Sequence, residues 1–259
     1  MLSSEFKPIY SKKKNLLRLG PDRDGGYILD KRIINKINLI ITCGLNDDWE
    51  FEKHFIKIKP KTKLIAYDHT VNNDFWLKRL LKDTINFFLL KKIRIWKIIS
   101  IFKFLDYYFF FKDRNKHYKL KVGNKNIPNK EINLKNILKK KNEVLLKIDI
   151  EGGEYLILDD ICKNFNKINC LIIEFHNIKK NLEKIKKFIK KIKNLKIIHI
   201  HGNNIQNLDR YGYPYGLEIT FINDKKVNLS KRKNLSKYPI KGIDFPNVRR
   251  NKDIDLFFK

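Results

Sequence analysis

The chain has 259 residues and a hydrophobic fraction of 42%, enough for one large domain with a substantial core. Its 57 Lys and Arg residues against 28 Asp and Glu residues give a net charge of +29. Such a surplus suggests nucleic acid or an anionic membrane surface as a partner. Alternatively, A/T-rich codon usage explains it without any partner, because the cations are mostly lysines spread along the whole chain beside many Ile and Asn residues. No recognisable nucleic-acid-binding module accompanies the charge, so we expect no specific nucleic acid as partner.

The cysteines point to a reducing compartment. Cys43, Cys162 and Cys170 form no C-x-x-C pair and lie in or beside apolar runs. They predict buried thiols and exclude a disulfide framework or a zinc site. Residues 1–14 lack the apolar core of a secretory signal, so we expect a cytoplasmic protein.

Apolar runs recur along the chain between longer polar stretches with helical spacing of their apolar residues. In chain order the first predicted elements are a strand at 39–43, a helix at 49–59 and a strand at 63–67. A short helix at 133–138 precedes strands at 144–150 and 170–175. A helix at 182–192 and late strands at 197–200 and 217–222 complete the pattern. This alternation predicts a mostly parallel α/β sheet with helices on both faces. No repeat or linker divides residues 1–259, so we predict a single domain with an N-terminal extension at 1–35.

Residues 75–120 interrupt this alternation with a helical, aromatic-rich insertion. Lys91, Lys92, Arg94, Lys97 and Lys103 break every long apolar run in it, which excludes a membrane span. Three interpretations stay open: the aromatic residues cover the edge of the sheet, they form a lid over an acceptor substrate, or they contact a membrane surface. The last would make the protein peripherally membrane-associated.

Polar clusters follow the predicted strands, where an open α/β sheet binds its ligand. Gly44 and Asn46 come directly after the first strand, where glycine permits close backbone approach and the next helix offers free N–H groups. Asp68 ends the second strand, where a carboxylate can accept both hydroxyls of a ribose or, alternatively, cap the next helix.

Two further clusters carry acid–base chemistry. Asp149 and Glu151 end the strand at 144–150, and Glu174 and His176 end the strand at 170–175. A histidine beside several carboxylates suits a proton acceptor near neutral pH. We expect these four residues and His201 to converge in one cleft at the carboxyl ends of the strands.

The order of these motifs resembles the FkbM family of S-adenosylmethionine-dependent methyltransferases. The most specific matching element is Asp149-x-Glu151-Gly152-x-Glu154, which joins Gly44-x-Asn46 and Asp68. Further matching elements are Arg18-x-Gly20, Asp24-Gly25-Gly26-Tyr27, Tyr67-Asp68-His69-Thr70-Val71, His201-Gly202-Asn203-Asn204 and Asp244-Phe245-Pro246-Asn247. The resemblance implies a Rossmann-like class I methyltransferase fold, with a seven-stranded sheet, a late antiparallel strand, and methyl transfer usually to a hydroxyl group.

The resemblance also implies roles for individual residues. S-adenosylmethionine would bind through Gly44, Asn46, Asp68 and Asp149. The candidate base is His176 or His201, with Asp149 or Glu151 orienting it, and Glu174 and Asn203 are the candidate substrate contacts. Alternatively, Asp149 and Glu151 hold a divalent metal, since hard oxygen ligands suit Mg²⁺. We expect the acceptor to be a sugar or glycan-assembly intermediate, either a small molecule or linked to a carrier.

Two positions depart from the family's first motif. The family usually has an acid where this chain has Thr42 and a second glycine where it has Asp48. A carboxylate at 48 would repel the carboxylate of the methionine moiety unless it turns outward or meets the ammonium group of the ligand. These departures favour a rival function, a non-catalytic glycan- or partner-binding protein on the same fold. A third hypothesis, an RNA methyltransferase, rests on the charge alone.

Overall fold

The computed structural model describes residues 1–89, 99–230, 232–234 and 237–259. The strands are β1 (Leu16–Leu19), β2 (Tyr27–Asp30), β3 (Leu39–Cys43), β4 (Lys63–Tyr67), β5 (Lys116–Tyr118), β6 (Lys121–Gly123), β7 (Glu131–Asn133), β8 (Val144–Ile148), β9 (Ile168–His176), β10 (Leu195–Asn203) and β11 (Gly216–Asn223). The α-helices are α1 (Glu50–Ile58), α2 (Asn73–Leu89), α3 (Ile99–Phe111), α4 (Leu134–Ile137), α5 (Glu154–Asn164) and α6 (Ile178–Lys191).

Seven strands form the central sheet, in the order β10-β11-β9-β8-β3-β4-β5. All neighbours are parallel except β11, which runs antiparallel to both β9 and β10. The chain moves outward from β3 in one direction through β4 and in the other through β8, so the carboxyl ends of β3 and β8 flank a topological switch point. This order, with its late antiparallel strand, confirms the Rossmann-like class I methyltransferase fold.

Apolar cores lie on both faces of the sheet. On one face α5 and α6 bury Ile157 and Ile185 against the inner strands. On the other face α1 buries Phe51 and Phe55, which lie one helical turn apart. Full burial of such side chains contributes about 1.5–3 kcal/mol each, so the helix that follows β3 is held firmly on the sheet.

The N-terminal residues are part of this second core. β1 and β2 pair as an antiparallel hairpin, and Leu19, Tyr27 and Leu29 are fully or almost fully buried beside α1. The region predicted as an extension at 1–35 therefore packs against the sheet. Its two strands have four residues each, which leaves little periodicity to find in the sequence.

The insertion after β4 contains α2 and α3, and its residues 90–98 lie outside the described part of the chain. Trp76 of α2 packs against Trp49 and against Tyr107 of α3, with ring centroids 6.4 Å and 5.3 Å apart. The Tyr107 hydroxyl lies 2.5 Å from Nδ1 of His117, the second residue of β5. These inward-facing aromatic residues cover the β4–β5 edge of the sheet, as the first of the three interpretations expects. None of the described helices is long and apolar enough to cross a membrane.

Candidate active site

A cleft with a cavity volume of about 280 Å³ opens at the carboxyl ends of β3, β4 and β8. It is lined by Gly44, Asn46, Tyr67, Asp68, His69, Thr70, Leu120, Lys121, Val122, Asp149, Ile150, Glu151 and Gly153. All four residues expected to bind the cofactor therefore lie in one cleft. Among the described residues of α2 and α3, none lines it.

Gly44 allows the two main loops of the cleft to touch. Its φ is +83°, and a Cβ atom at this position would lie 1.6 Å from the backbone oxygen of Asp149. The backbone N–H of Asp149 in turn donates to the oxygen of Cys43, 2.9 Å away. Both the backbone conformation and the close approach therefore require glycine here, and the loops after β3 and β8 form one unit.

Asp68 organises the loop after β3. Its Oδ2 accepts the backbone N–H groups of Leu45 and Asn46, each at 2.8 Å, and its Oδ1 accepts the N–H and hydroxyl of Thr70 at 2.7 and 2.6 Å. Burial raises the pKa of Asp68, but these hydrogen bonds outweigh it, so the pKa is lowered overall. Because a carboxylate has roughly four acceptor positions, a ribose hydroxyl would have to replace one of these partners.

The acid missing at position 42 is supplied from α1. The Thr42 hydroxyl donates to Oε1 of the buried Glu52, 2.7 Å away, and Nζ of the buried Lys147 lies 3.4 Å from the same oxygen. Lys147 interrupts the apolar run of β8 and carries its charge toward α1. A carboxylate thus lies beneath the first motif even though the sequence has threonine there.

Asp48 turns away from the cleft. Its Oδ2 lies 3.0 Å from a guanidinium nitrogen of Arg23, and its Oδ1 accepts the backbone N–H of Glu50 in the first turn of α1. A carboxylate that caps the start of a helix is favourably placed. The repulsion expected from Asp48 is therefore avoided, because its carboxylate pairs with Arg23 and caps α1.

The loop after β8 is a turn closed by the buried Glu154. Glu151 and Gly152 both adopt left-handed backbone conformations, with φ of 52° and 96°. Oε1 of Glu154 accepts the N–H groups of Ile150 and Gly152 at 3.0 and 3.2 Å. The last residue of the Asp149-x-Glu151-Gly152-x-Glu154 motif therefore sets the shape of the turn that carries the first two acids.

His176 joins this turn from the end of β9. Its Nδ1 lies 3.2 Å from Oε1 of Glu154, and its Nε2 lies 3.4 Å from Glu151, 3.8 Å from Glu174 and 3.9 Å from Asp149. A carboxylate behind Nδ1 orients the ring, so that Nε2 faces the carboxylates of Glu151, Glu174 and Asp149. The structure thus brings together four of the five residues expected to converge.

The protonation states follow from burial and charge. Burial raises the pKa of Asp149 to about 7, although Lys147 and His176 act in the opposite direction. Burial and then the charge of Asp149 hold the pKa of Glu174 well above its usual range. Burial lowers the pKa of His176, but the hydrogen bond and charge of Glu154 outweigh it and raise the pKa overall. Asp149 therefore exchanges its proton near neutral pH, as a general base requires.

His201, the fifth residue, lies two strands away on β10. Its Nδ1 atom lies 3.3 Å from Glu218 and its Nε2 atom 3.0 Å from Asp253. Within the described part of the chain, His201 makes no hydrogen bond or ion pair with Asp149. Burial lowers its pKa, but the hydrogen bonds with Asp253 and Glu218 raise it to about 10. The expectation that His201 acts as a base is therefore corrected, because it carries its proton at neutral pH and ties the C-terminal segment to the sheet.

A second group of acids lies between these two histidines. Glu174 on β9 and Glu218 on β11 are register partners, and together with Asp24 they place carboxylate oxygens within 4.8 Å of one another. The Asn203 amide donates to Glu174 at 2.8 Å, and the Asn247 amide donates to Glu218 and Asp24 at 2.6 and 2.9 Å. Asn203, which was expected to contact the substrate, thus lies beside this group of three acids.

Sequence reasoning assigned no site role to Glu52, Lys147, Glu218, Asp24 and Asn247. The available signal was a charged residue inside a strand that is otherwise apolar, as for Lys147 in β8 and Glu218 in β11. Such residues are rarely buried without a partner. Asp24 and Asn247 belonged to matching motifs, but their direct contact across 223 residues of sequence is visible only in the structure.

Asp149, Glu151 and His176 also form a donor set for a divalent cation. Their ligand atoms lie within 4.8 Å of one another. Two carboxylate oxygens and one imidazole nitrogen suit a divalent metal ion, and Glu154 stands behind the histidine as an outer carboxylate commonly does. The structure thus adds His176 to the two acids considered from the sequence.

The sheet order and the cleft at its switch point define a class I, Rossmann-like methyltransferase. The family model described as the methyltransferase FkbM domain matches residues 12–215, which include every residue that lines the cleft. The chain belongs to the FkbM methyltransferase family.

Solved structures give only distant likenesses. The chain is similar to one in a fibrillarin/Nop5p complex, at 11% identity, 73% coverage of each chain and a TM-score of 0.39. It is also similar to a Streptococcus pneumoniae protein in complex with S-adenosyl-L-methionine, at 11% identity, 80% and 76% coverage and a TM-score of 0.38. A precorrin-6y C5,15-methyltransferase from Geobacter metallireducens gives 10% identity, 83% and 94% coverage and a TM-score of 0.34. No curated protein matches the sequence. The strand order, and not these likenesses, defines the fold.

Proposed function

We propose that this methyltransferase uses S-adenosylmethionine to methylate a hydroxyl group of a sugar or glycan-assembly intermediate. The observation that carries the proposal is the position of Asp149. It lines the cleft with Gly44 and Asp68 and also lies 3.9 Å from His176 in the acidic cluster. A proton acceptor is therefore adjacent to the place where the family fold would hold a methyl donor.

The residues that line the cleft suit the groups of S-adenosylmethionine chemically. Tyr67, Val122 and Ile150 offer apolar walls for an adenine ring. A ribose hydroxyl would replace one of the four hydrogen-bond partners of Asp68, and the carboxylate of Asp149 suits an ammonium group. The close contact of Gly44 with the Asp149 loop keeps these walls together. When bound, the cofactor supplies a methyl group on a positively charged sulfur.

The chain's own residues would remove the proton of the acceptor. A hydroxyl group is a poor nucleophile until its proton moves to a base, and a positioned base contributes roughly 10²–10⁴-fold. Asp149, with a pKa of about 7, would accept that proton, and the Nε2 atom of His176 lies 3.9 Å from its carboxylate. Glu154 keeps the His176 ring in place.

The acceptor side of the site favours a compound rich in hydroxyl groups. The exposed Asp24 and the buried Glu174, Glu218 and Asn203 carry the kinds of carboxylate and amide group that hydrogen-bond hydroxyls. The Tyr215 ring, with its centroid 5.9 Å from that of His176, adds an aromatic surface beside them. This combination supports a sugar as the methyl acceptor.

A divalent metal at Asp149, Glu151 and His176 would offer a second way to acidify a sugar diol. Calorimetric titration of Mg²⁺ or Mn²⁺ into the protein tests this directly. Binding that disappears in Glu151→Gln supports the metal, whereas an activity unaffected by chelators assigns the chemistry to Asp149 and His176 alone.

Transfer of a labelled methyl group from S-adenosylmethionine to a panel of sugars, nucleotide sugars and lipid-linked sugars tests the proposal. We expect transfer to a hydroxyl-bearing sugar and loss of transfer in Asp149→Asn. Binding of glycans without binding of S-adenosylmethionine would support the non-catalytic rival instead. Transfer to RNA with a steep salt dependence would identify the third candidate.

A further inference from the structure

The helix pair α2–α3 has a second apolar face that points away from the sheet. We call it the outer face, and its residues are Leu77, Leu81, Ile85, Phe102, Leu105 and Phe109. Phe102 is 69% exposed, Phe109 67% and Leu77 57%. Large apolar side chains this exposed are unusual when they lie together on a monomeric protein.

The spacing shows that the outer face is a continuous feature of each helix. Leu77, Leu81 and Ile85 recur at every fourth residue of α2, and Phe102, Leu105 and Phe109 at three and four residues in α3. The inner face of the pair is already occupied by the packing of Trp76 and Tyr107 against the sheet edge. The outer face therefore contributes nothing to that packing.

A groove connects the two helices of the outer face. Its cavity volume is about 510 Å³, and Leu77 and Leu80 line it from α2 while Ile101 and Phe104 line it from α3. All four of these side chains are exposed. The apolar surface is therefore continuous from one helix to the other.

The pair is fastened to the body of the protein. Arg79 of α2 pairs with Asp47 in the loop between β3 and α1, and Nζ of Lys103 of α3 lies 3.4 Å from the same carboxylate. Lys53 of α1 pairs with Asp106 of α3. The exposed apolar side chains thus project from a surface that is fixed relative to the sheet.

Charge favours an anionic surface as the partner of the outer face. Lys78 and Lys82 lie on α2 beside the row of Leu77 and Leu81, both exposed and without an ion pair to any described residue. Helix α2 carries three cations and two carboxylates, so most of the attraction to an anionic surface comes from the +29 charge of the whole chain. The same charge opposes contact between two copies of the chain through this face.

We propose that the outer face rests on an anionic lipid bilayer. Phe102, Phe109 and the leucine row would enter the boundary between headgroups and acyl chains, while Lys78 and Lys82 meet the negative headgroups. Apolar side chains on one face and cations beside them are the features that hold a helix in the plane of a membrane surface. This binding is independent of the proposed methyl transfer and needs no acceptor.

Sedimentation of the full chain with phosphatidylcholine vesicles, with and without phosphatidylglycerol, tests the proposal. We expect binding to the anionic vesicles and little to the neutral ones. The double variant F102D/F109D should lower the partition coefficient roughly tenfold or more, since it places two charges in the boundary region. The matched control is F257D, which changes a phenylalanine that is 61% exposed elsewhere on the surface and should bind as the wild type does.

Two results would overturn the proposal. One is equal binding of F102D/F109D and wild type to anionic vesicles, which would assign the attraction to charge alone. The other is a wild-type dimer in sedimentation velocity that F102D/F109D dissociates, which would make the outer face an interface between copies. S-adenosylmethionine binding is measured on the same samples. If it is normal while vesicle binding fails, only the membrane proposal falls, and the reverse result affects only the proposed function.

Discussion

Asp149→Asn should inactivate the enzyme and stabilise the folded protein. The pKa of this carboxyl rises from 3.8 to about 7, chiefly because of burial, so its ionised form is less stable in the fold than in the unfolded chain. An amide of the same shape carries no charge to bury. A residue kept for catalysis at a cost in stability is expected at an active site.

The size and sign of the effect follow from linkage. One pKa unit corresponds to 1.36 kcal/mol, so the shift sets an upper limit of about 4 kcal/mol. Part of this shift comes from the charge of Glu151 and not from Asp149 alone, so we expect a gain of about 1–2 kcal/mol, or roughly 2–8 °C in Tm. Because the folded pKa is raised, wild-type stability is lost as the pH rises from about 4 through about 7. The gain in the free energy of unfolding of Asp149→Asn over wild type should be small at pH 4 and reach its full size above pH 7.

Thermal unfolding of wild type and Asp149→Asn across this pH range measures the effect. Asp159→Asn is the control, because that carboxylate lies on α5 with 80% of its side chain exposed. Methyl transfer by Asp149→Asn should fall roughly 10²–10⁴-fold. A variant that is less stable than wild type at pH 8, or one that keeps its activity, would refute the role assigned to Asp149.

Three further variants separate the parts of the site. Glu154→Gln removes the main support for the raised pKa of His176, so kcat should fall and the pH–rate profile should move by more than it does for Asp159→Asn. His201→Gln should lower the free energy of unfolding by about 3–5 kcal/mol below pH 6.5. This difference should shrink as the pH rises through about 10, because the wild-type histidine then loses its own charge. Denaturant titration measures the difference, and the affinity for the cofactor should not change. Asp68→Ala should weaken S-adenosylmethionine binding by about 1.5–3 kcal/mol because the loop after β3 loses its anchor, and an unchanged Kd would remove Asp68 from the site.

Local patterns in the sequence located much of the fold. The strands at 39–43 and 63–67 match β3 and β4 residue for residue, because short and mostly apolar runs mark buried parallel strands. The predicted strand at 197–200 is shorter than β10, whose polar residues His199 and His201 are buried by partners distant in the chain. The three-residue edge strand β5 has no such pattern.

For the candidate site as well, local patterns located some residues, whereas the surroundings of others depend on partners distant in the chain. Asp68, Asp149, Glu151 and His176 could be found because each lies at or just beyond the carboxyl end of a strand, at the edge where ligands bind. The true environment of His201 could not, since it depends on Glu218 in the neighbouring strand and on Asp253, 52 residues further along the chain. Residue type and local position suggested a base, whereas two carboxylates brought together by the fold make it a cation.

Calorimetric titration of S-adenosylmethionine into the full chain tests the central claim most directly, because it requires no knowledge of the acceptor. We expect one binding site per chain, weakened by Asp68→Ala and unchanged by His201→Gln. No detectable binding by a wild-type protein that unfolds cooperatively would contradict the claim that this cleft serves methyl transfer.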